Sequence, residues 1–76
     1  MELNQLEYFR ALAHINHFTQ AAESVSLSQP ALSRSISKLE KELGVPLFNR
    51  IGKKIQLTPY GSAFLTHTER ALQAIE

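Results

Sequence analysis

The sequence predicts a mainly α fold: three helices, a small β-hairpin, and a fourth helix behind it. Three observations lead there. Apolar residues recur at spacings of three and four through most of the chain, the helical period. The stretch Lys54-Ile55-Gln56-Leu57 alternates polar and apolar residues instead, as a half-buried strand does. Gly44 with Pro46, and Thr58 with Pro59, are stop and start signals on either side of it. At 76 residues, 43% of them hydrophobic and none of them cysteine, the chain is long enough for one small domain held by packing alone.

The first helix is read from residues 3 to 15, where Leu6, Phe9, Leu12, Ala13 and Ile15 form the apolar side and Glu7 and Arg10 fall between them. Asn16-His17 marks its end. Thr19 is taken as the N-cap of a short second helix over residues 20–25, with Glu23 near its start. Ser26-Leu27-Ser28 breaks the pattern in a tight connection. Ser28 is the N-cap of the third helix, and Pro30 lies in its first turn, where a missing N–H costs nothing. Leu32, Ile36, Leu39 and Leu43 then build one stripe, which Gly44 ends by offering a left-handed conformation and Pro46 prevents from resuming.

Leu47-Phe48-Asn49-Arg50 and Lys54-Ile55-Gln56-Leu57 are read as two strands flanking Ile51-Gly52-Lys53, with Gly52 permitting the turn. Two strands alone are marginal, so they must pack on the helices. Thr58 as N-cap and Pro59 at the first helical position open the last helix, which is read as running towards Glu76. In it Leu65, Thr68, Leu72 and Ile75 fall at a/d-like spacings, and Phe64 joins them as a core or interface residue. These five are the expected dimerisation surface. A helix that reaches the chain end without a cap leads us to expect a module of a longer protein, divided into a domain over 1–58 and a linker helix over 59–76.

Composition excludes several functions. No cysteine means no disulfide framework, thiolate zinc site, iron–sulfur cluster or cysteine nucleophile. No aspartate removes the usual catalytic triad. His14 and His17 lack a further ligand for a metal site, and three scattered glycines make no phosphate loop. No cofactor is expected. The longest apolar run is only a few residues, and Met1-Glu2-Leu3-Asn4-Gln5 is no export signal, so a cytoplasmic protein without membrane contact is expected.

The second and third helices satisfy helix-turn-helix spacing. Ala22 is small where the helices must cross, Val25 and Leu27 bracket the turn, and Ser26 stands where glycine often does. Gln29, Pro30, Ser33, Arg34, Ser37, Lys38 and Lys41 lie opposite the apolar stripe, with no acid before Glu40. Such a face suits the major groove of DNA: Gln29 matches adenine, Arg34 matches guanine, and the lysines match phosphates. Arg50, Lys53 and Lys54 around Gly52 form the basic tip of a wing. The net charge of +1 conceals this layout. Between residues 29 and 58, six cations (Arg34, Lys38, Lys41, Arg50, Lys53, Lys54) face only Glu40 and Glu42, while the flanking segments are acidic overall. The alternative is an interaction module whose polar face docks protein; the acid-free run from Gln29 to Lys38 favours DNA.

These residues carry a resemblance. Phe18-Thr19-Gln20-Ala21-Ala22, Leu27-Ser28-Gln29-Pro30-Ala31-Leu32-Ser33-Arg34, Glu42-Leu43-Gly44-Val45-Pro46-Leu47-Phe48, Arg50, and Leu57-Thr58-Pro59 with Gly61 resemble the LysR-type transcriptional regulators over essentially the whole chain. The resemblance implies a winged helix-turn-helix that binds double-stranded DNA, then a linker helix that pairs two subunits, with higher oligomers in full-length proteins. It implies a larger effector-binding domain beyond these residues. It also implies DNA contacts at Thr19, Ser28, Gln29, Pro30, Ser33 and Arg34, with Ser37 and Lys38 close by, and at the wing through Arg50, Lys53 and the neighbouring Lys54. Lys53 stands where the family usually has arginine, and Ile51 where it commonly has a polar residue.

Overall fold

In the computed structural model, which describes residues 1–52 and 54–76, helix α1 spans Leu3–Ile15. It begins where the Gln5 side chain accepts a hydrogen bond from the Glu2 backbone N–H at 2.7 Å. It ends at Asn16, which adopts the left-handed conformation (φ 59°) and donates its N–H to the Leu12 carbonyl. Asparagine tolerates that region better than most residues.

Helix α2 spans Phe18–Ser24 and begins two residues before the expected position. Its N-cap is His17, not Thr19: the imidazole Nδ1 accepts from the Gln20 N–H at 3.2 Å. A ring nitrogen two bonds from Cβ reaches the amide that an aspartate or asparagine cap would hold. Thr19 is therefore inside the first turn, and Val25 is the C-cap rather than a helical residue. The turn closes through the Leu27 N–H on the Ala22 carbonyl, with Ser26 left-handed at φ 58°.

Helix α3 spans Gln29–Leu43 as expected. Ser28 Oγ accepts from the Ala31 N–H, and Gly44, at φ 75°, donates to the Glu40 carbonyl. Strands β1 (Phe48–Ile51) and β2 (Lys54–Leu57) form an antiparallel hairpin with Phe48 opposite Leu57 and Arg50 opposite Ile55. The first strand starts one residue later than read from the sequence. Leu47 is fully buried, and its backbone faces other partners: its N–H donates to the Glu40 carboxylate at 2.7 Å, and its carbonyl accepts from the Thr58 N–H.

Helix α4 spans Pro59–Gln73, stopping short of Glu76. Thr58 Oγ1 accepts from the Gly61 N–H and donates to the Pro46 carbonyl at 2.6 Å, which ties the helix start to the chain entering the hairpin. Gly61 lies on that crossing: a Cβ there would sit 2.1 Å from the Leu47 carbonyl oxygen.

The core gathers Phe9 and Leu12 from α1, Ala21 and Ala22 from α2, Leu32, Ile36 and Leu39 from α3, and Leu47 and Ile55 from the hairpin region. Each fully buried large side chain contributes about 1.5–3 kcal/mol. Phe9 stands between Phe48 and Phe64, with ring centroids at 5.4 and 5.1 Å in tilted and edge-on arrangements. Among the described residues the architecture is a winged helix-turn-helix with a fourth helix packed back on α1.

That packing divides the expected dimer stripe between buried and exposed residues. Thr68 and Leu72 are 2% exposed within the single chain, and Leu65 is half-buried against the core. The reason is helical phase. Gly61, Leu65, Thr68 and Leu72 share the side of α4 that faces the chain's own core, and the Arg10–Glu76 ion pair and a His14–Glu69 hydrogen bond flank the contact with α1. The outward side carries exposed Tyr60, His67, Ala71 and, past the helix end, Ile75 at 61% exposure, with half-buried Phe64 at its edge because its ring packs on Phe9.

Candidate nucleic-acid interface

The third helix divides its residues as an amphipathic helix must. Leu32, Ile36 and Leu39 are buried, which leaves the opposite side to Pro30, Arg34, Ser37, Lys38 and Lys41, all exposed, with Gln29 and Ser33 half-buried beside them. The helix is anchored at both ends by its Ser28 and Gly44 caps, so these side chains project from a rigid support.

Glu40 explains why the acid that ends this basic run does not spoil it. Its carboxylate turns inward and accepts from the backbone N–H groups of Leu47 and Phe48, at 2.7 and 3.3 Å. It thus fixes where the hairpin leaves the helix. Glu42 pairs with the Met1 ammonium at 3.2 Å. That contact chiefly holds its carboxyl below the ordinary value, against some desolvation, with the Lys38 charge adding to the effect.

The hairpin register decides which wing residues face the helices. Cross-strand partners share a face, so Arg50 lies on the side that Ile55 buries, and Asn49, Ile51, Lys54 and Gln56 lie on the exposed side. The Arg50 guanidinium stands 4.5 Å above the Phe18 ring and donates from Nη2 to Ser33 Oγ at 3.3 Å. Between the wing, α2 and the start of α3 is a cleft of about 400 Å³, lined by His17, Phe18, Thr19, Gln29, Arg50, Gly52, Lys54 and Ile55. The structure therefore brings Thr19, Gln29, Arg50 and Lys54 to one cleft. Arg34 and Lys38 line a second groove with the start of α1, where Glu2, Asn4, Gln5, Tyr8 and Ser35 complete the walls. Ser28 is exposed, its hydroxyl already engaged as a cap. Lys53, expected as a wing contact, lies outside the described residues.

Sequence reasoning missed three participants. His17 escaped because serine and threonine are the usual caps; the signal was Phe18, whose spacing to Ala21 and Ala22 requires a helix already begun at residue 18. Phe18, one of the motif residues, packs against the core and is also the platform for Arg50. Glu40 was counted only as a charge. The histidines are engaged separately, His14 with Glu69 and His17 as a cap. Among the described residues no group of three or more His, Cys, Asp or Glu side chains gathers to hold a metal ion.

Residues 3–62 match the family model for bacterial regulatory helix-turn-helix proteins of the lysR family. The chain is 53% identical over 73 residues to the HTH-type transcriptional regulator YybE of Bacillus subtilis, covering 96% of this chain and 25% of that protein. It is 47% identical over 76 residues to the transcriptional dual regulator GltC of the same organism, again covering 25% of the relative. The chain thus spans about a quarter of the length of most curated relatives it matches. Among solved structures, a CbnR DBD–DNA complex superposes with a TM-score of 0.94 at 40% identity, over 99% of this chain and 86% of that one. The BenM DBD bound to the catB site 1 DNA gives 0.94 at 39% identity, over 99% and 81%. Fold, sequence and matched length agree, and the chain belongs to the lysR family of bacterial regulatory helix-turn-helix proteins.

Proposed function

We propose that this chain is the sequence-specific DNA-binding module of a LysR-type transcriptional regulator. Helix α3 enters the major groove, and the wing meets the minor groove or its phosphates. The observation that carries this reading is the outward face of α3: from Gln29 to Lys38 it presents amides, hydroxyls and cations with no acid, on a helix fixed at both ends. The CbnR and BenM domains that this chain superposes on are in complexes with DNA. In this reading Gln29, Pro30, Ser33 and Arg34 meet base edges, and Ser37 stands beside them. Thr19, Ser28, Lys38, Lys53 and Lys54 meet the backbone, and Arg50 belongs to the same surface. The role is regulatory, not catalytic.

Two copies acting together place two α3 helices in successive major grooves, about one helical turn or more apart. The outward side of α4, with Tyr60, His67, Ala71 and Ile75 and with half-buried Phe64 at its edge, supports a homodimer through that helix. Thr68 and Leu72 are buried by the chain itself, so the exposed residues would offer the larger part of that surface. No helix among the described residues is long and apolar enough to cross a membrane; a cytoplasmic regulator fits the proposed partner.

Duplex-DNA binding at increasing salt tests the reading. A protein that neutralises phosphates releases counterions, so log affinity must fall linearly with log salt, by about 0.9 per phosphate contacted. No detectable binding at low salt would overturn the proposal in favour of a protein-docking module.

A further inference from the structure

Arg50 is a wing side chain with a polar or cation–π contact to each of the other two parts of the DNA-reading unit. It is exposed, but leaves β1 on the face of the hairpin that carries buried Ile55; its guanidinium carbon lies over the Phe18 ring at the start of α2, and its Nη2 donates to Ser33 on α3. Phe18 packs in turn against the core, so the platform under the guanidinium is fixed. An arginine held this way, though exposed, commits its contact with an aromatic ring and one donor to other parts of the protein surface.

The consequence falls on Ser33. A serine hydroxyl in a helix can turn to donate to the carbonyl four residues back, which withdraws it from a ligand. With Arg50 donating into its oxygen, the hydroxyl is held on the wing side of α3, and its one hydrogen remains available to an acceptor. Base edges in the major groove offer such acceptors, at purine N7, guanine O6 and thymine O4.

We propose that Arg50 is a positioning residue for sequence readout. By bridging Phe18 and Ser33 it locks the wing to the recognition helix and presents the Ser33 hydroxyl as a donor to a base acceptor, instead of serving mainly as a phosphate contact. This inference rests on the DNA-binding reading above. It differs from the family-derived expectation for Arg50, under which the side chain contacts DNA directly.

The two roles separate by experiment. A preferred site is first selected from random duplexes with the unmodified chain. Affinities for that site and for random DNA are then measured across a salt series for Arg50→Ala, Arg50→Lys, Phe18→Leu, Ser33→Ala and the Arg50→Ala/Ser33→Ala double variant. Thermal melting of each variant sets a temperature at which all are folded. Positioning predicts that Arg50→Ala loses about tenfold on the preferred site, the order of one base contact, and keeps its random-DNA affinity and salt slope. Lysine does not restore preference, because it lacks the planar fork. Phe18→Leu and Ser33→Ala lose preference at the same base position, and the double variant is no worse than either single one. The inference is overturned if Arg50→Ala lowers the salt slope by about one per subunit, if lysine restores binding, or if the two losses add. Ser33→Ala does not disturb the core, so its base preference alone tests the second half of the claim. If the unmodified chain fails to bind any duplex at low salt, the DNA reading itself falls and this inference falls with it.

Discussion

At the scale of single residues, Gly61 and Thr68 sit a helical turn or two apart on the buried side of α4 and answer to opposite rules. Gly61 is there for space, not for backbone freedom: any side chain meets the Leu47 carbonyl oxygen at 2.1 Å. Gly61→Ala must therefore pry α4 from the hairpin. We expect a loss of about 3 kcal/mol or more, out of a total of about 4–11 for a domain of this length. Urea denaturation measures it, and a loss below half that value would show that the helix can shift cheaply. Thr68 is the converse case. Its hydroxyl is buried without a hydrogen-bond partner among the described residues, and an unpaired buried hydroxyl costs about 1–3 kcal/mol. Thr68→Val keeps the shape and removes that cost, so the urea midpoint should rise by the equivalent of about 1 kcal/mol. A fall would mean that the hydroxyl is satisfied.

At the scale of elements, α4 shows why phase matters more than periodicity. Leu65, Thr68, Leu72 and Ile75 recur at spacings that fit a helix seam, and the sequence cannot say whether such a seam meets a second chain or the helix's own domain. Here the domain itself buries Thr68 and Leu72 and leaves Ile75 exposed, while α4 packs on α1 beside the polar pairs Arg10–Glu76 and His14–Glu69. The neighbouring substitutions Leu72→Ala and Ala71→Glu should separate the two faces. The first removes a buried leucine and should cost about 2–5 kcal/mol of stability. The second adds a charge on an exposed helical position and should leave stability within about 0.5 kcal/mol, while weakening self-association in sedimentation. If Ala71→Glu leaves association intact and a dimer persists, the outward side of α4 is not the pairing surface.

The helices and hairpin were legible in the sequence because each carries its own punctuation: Ser28 and Gly44 around α3, Thr58-Pro59 before α4, alternation in β2. The missed detail has a common physical origin in contacts between distant residues. His17 caps α2 because Phe18 must reach the core. Leu47 leaves the strand because Glu40, seven residues away, takes its N–H. Arg50 turns towards Phe18 and Ser33 because its cross-strand partner is Ile55. The exposed face of α3 was read from the sequence with its residues in place. The wing's inner geometry was not, since it depends on a register that four-residue strands do not announce.

At the scale of the whole molecule, a chain with a net charge of +1 is not steered to DNA by its total charge. The basic residues are concentrated on α3 and the wing, and Glu40 and Glu42 are drawn off towards backbone amides and the Met1 ammonium. In the proposed reading, non-specific attraction is therefore modest, and discrimination falls to the few side chains that α3 would present to base edges. Arg34 is the most direct case, exposed near the start of α3 and facing away from the buried stripe. The decisive measurement is the affinity of Arg34→Ala for a selected site and for random duplex at the same salt. If α3 reads sequence in the major groove, the variant loses about 1–3 kcal/mol on the selected site, relaxes the preference at one base position, and loses far less on random DNA. An equal loss on both would show that α3 only grips phosphates, and would contradict the reading of this helix as the source of specificity.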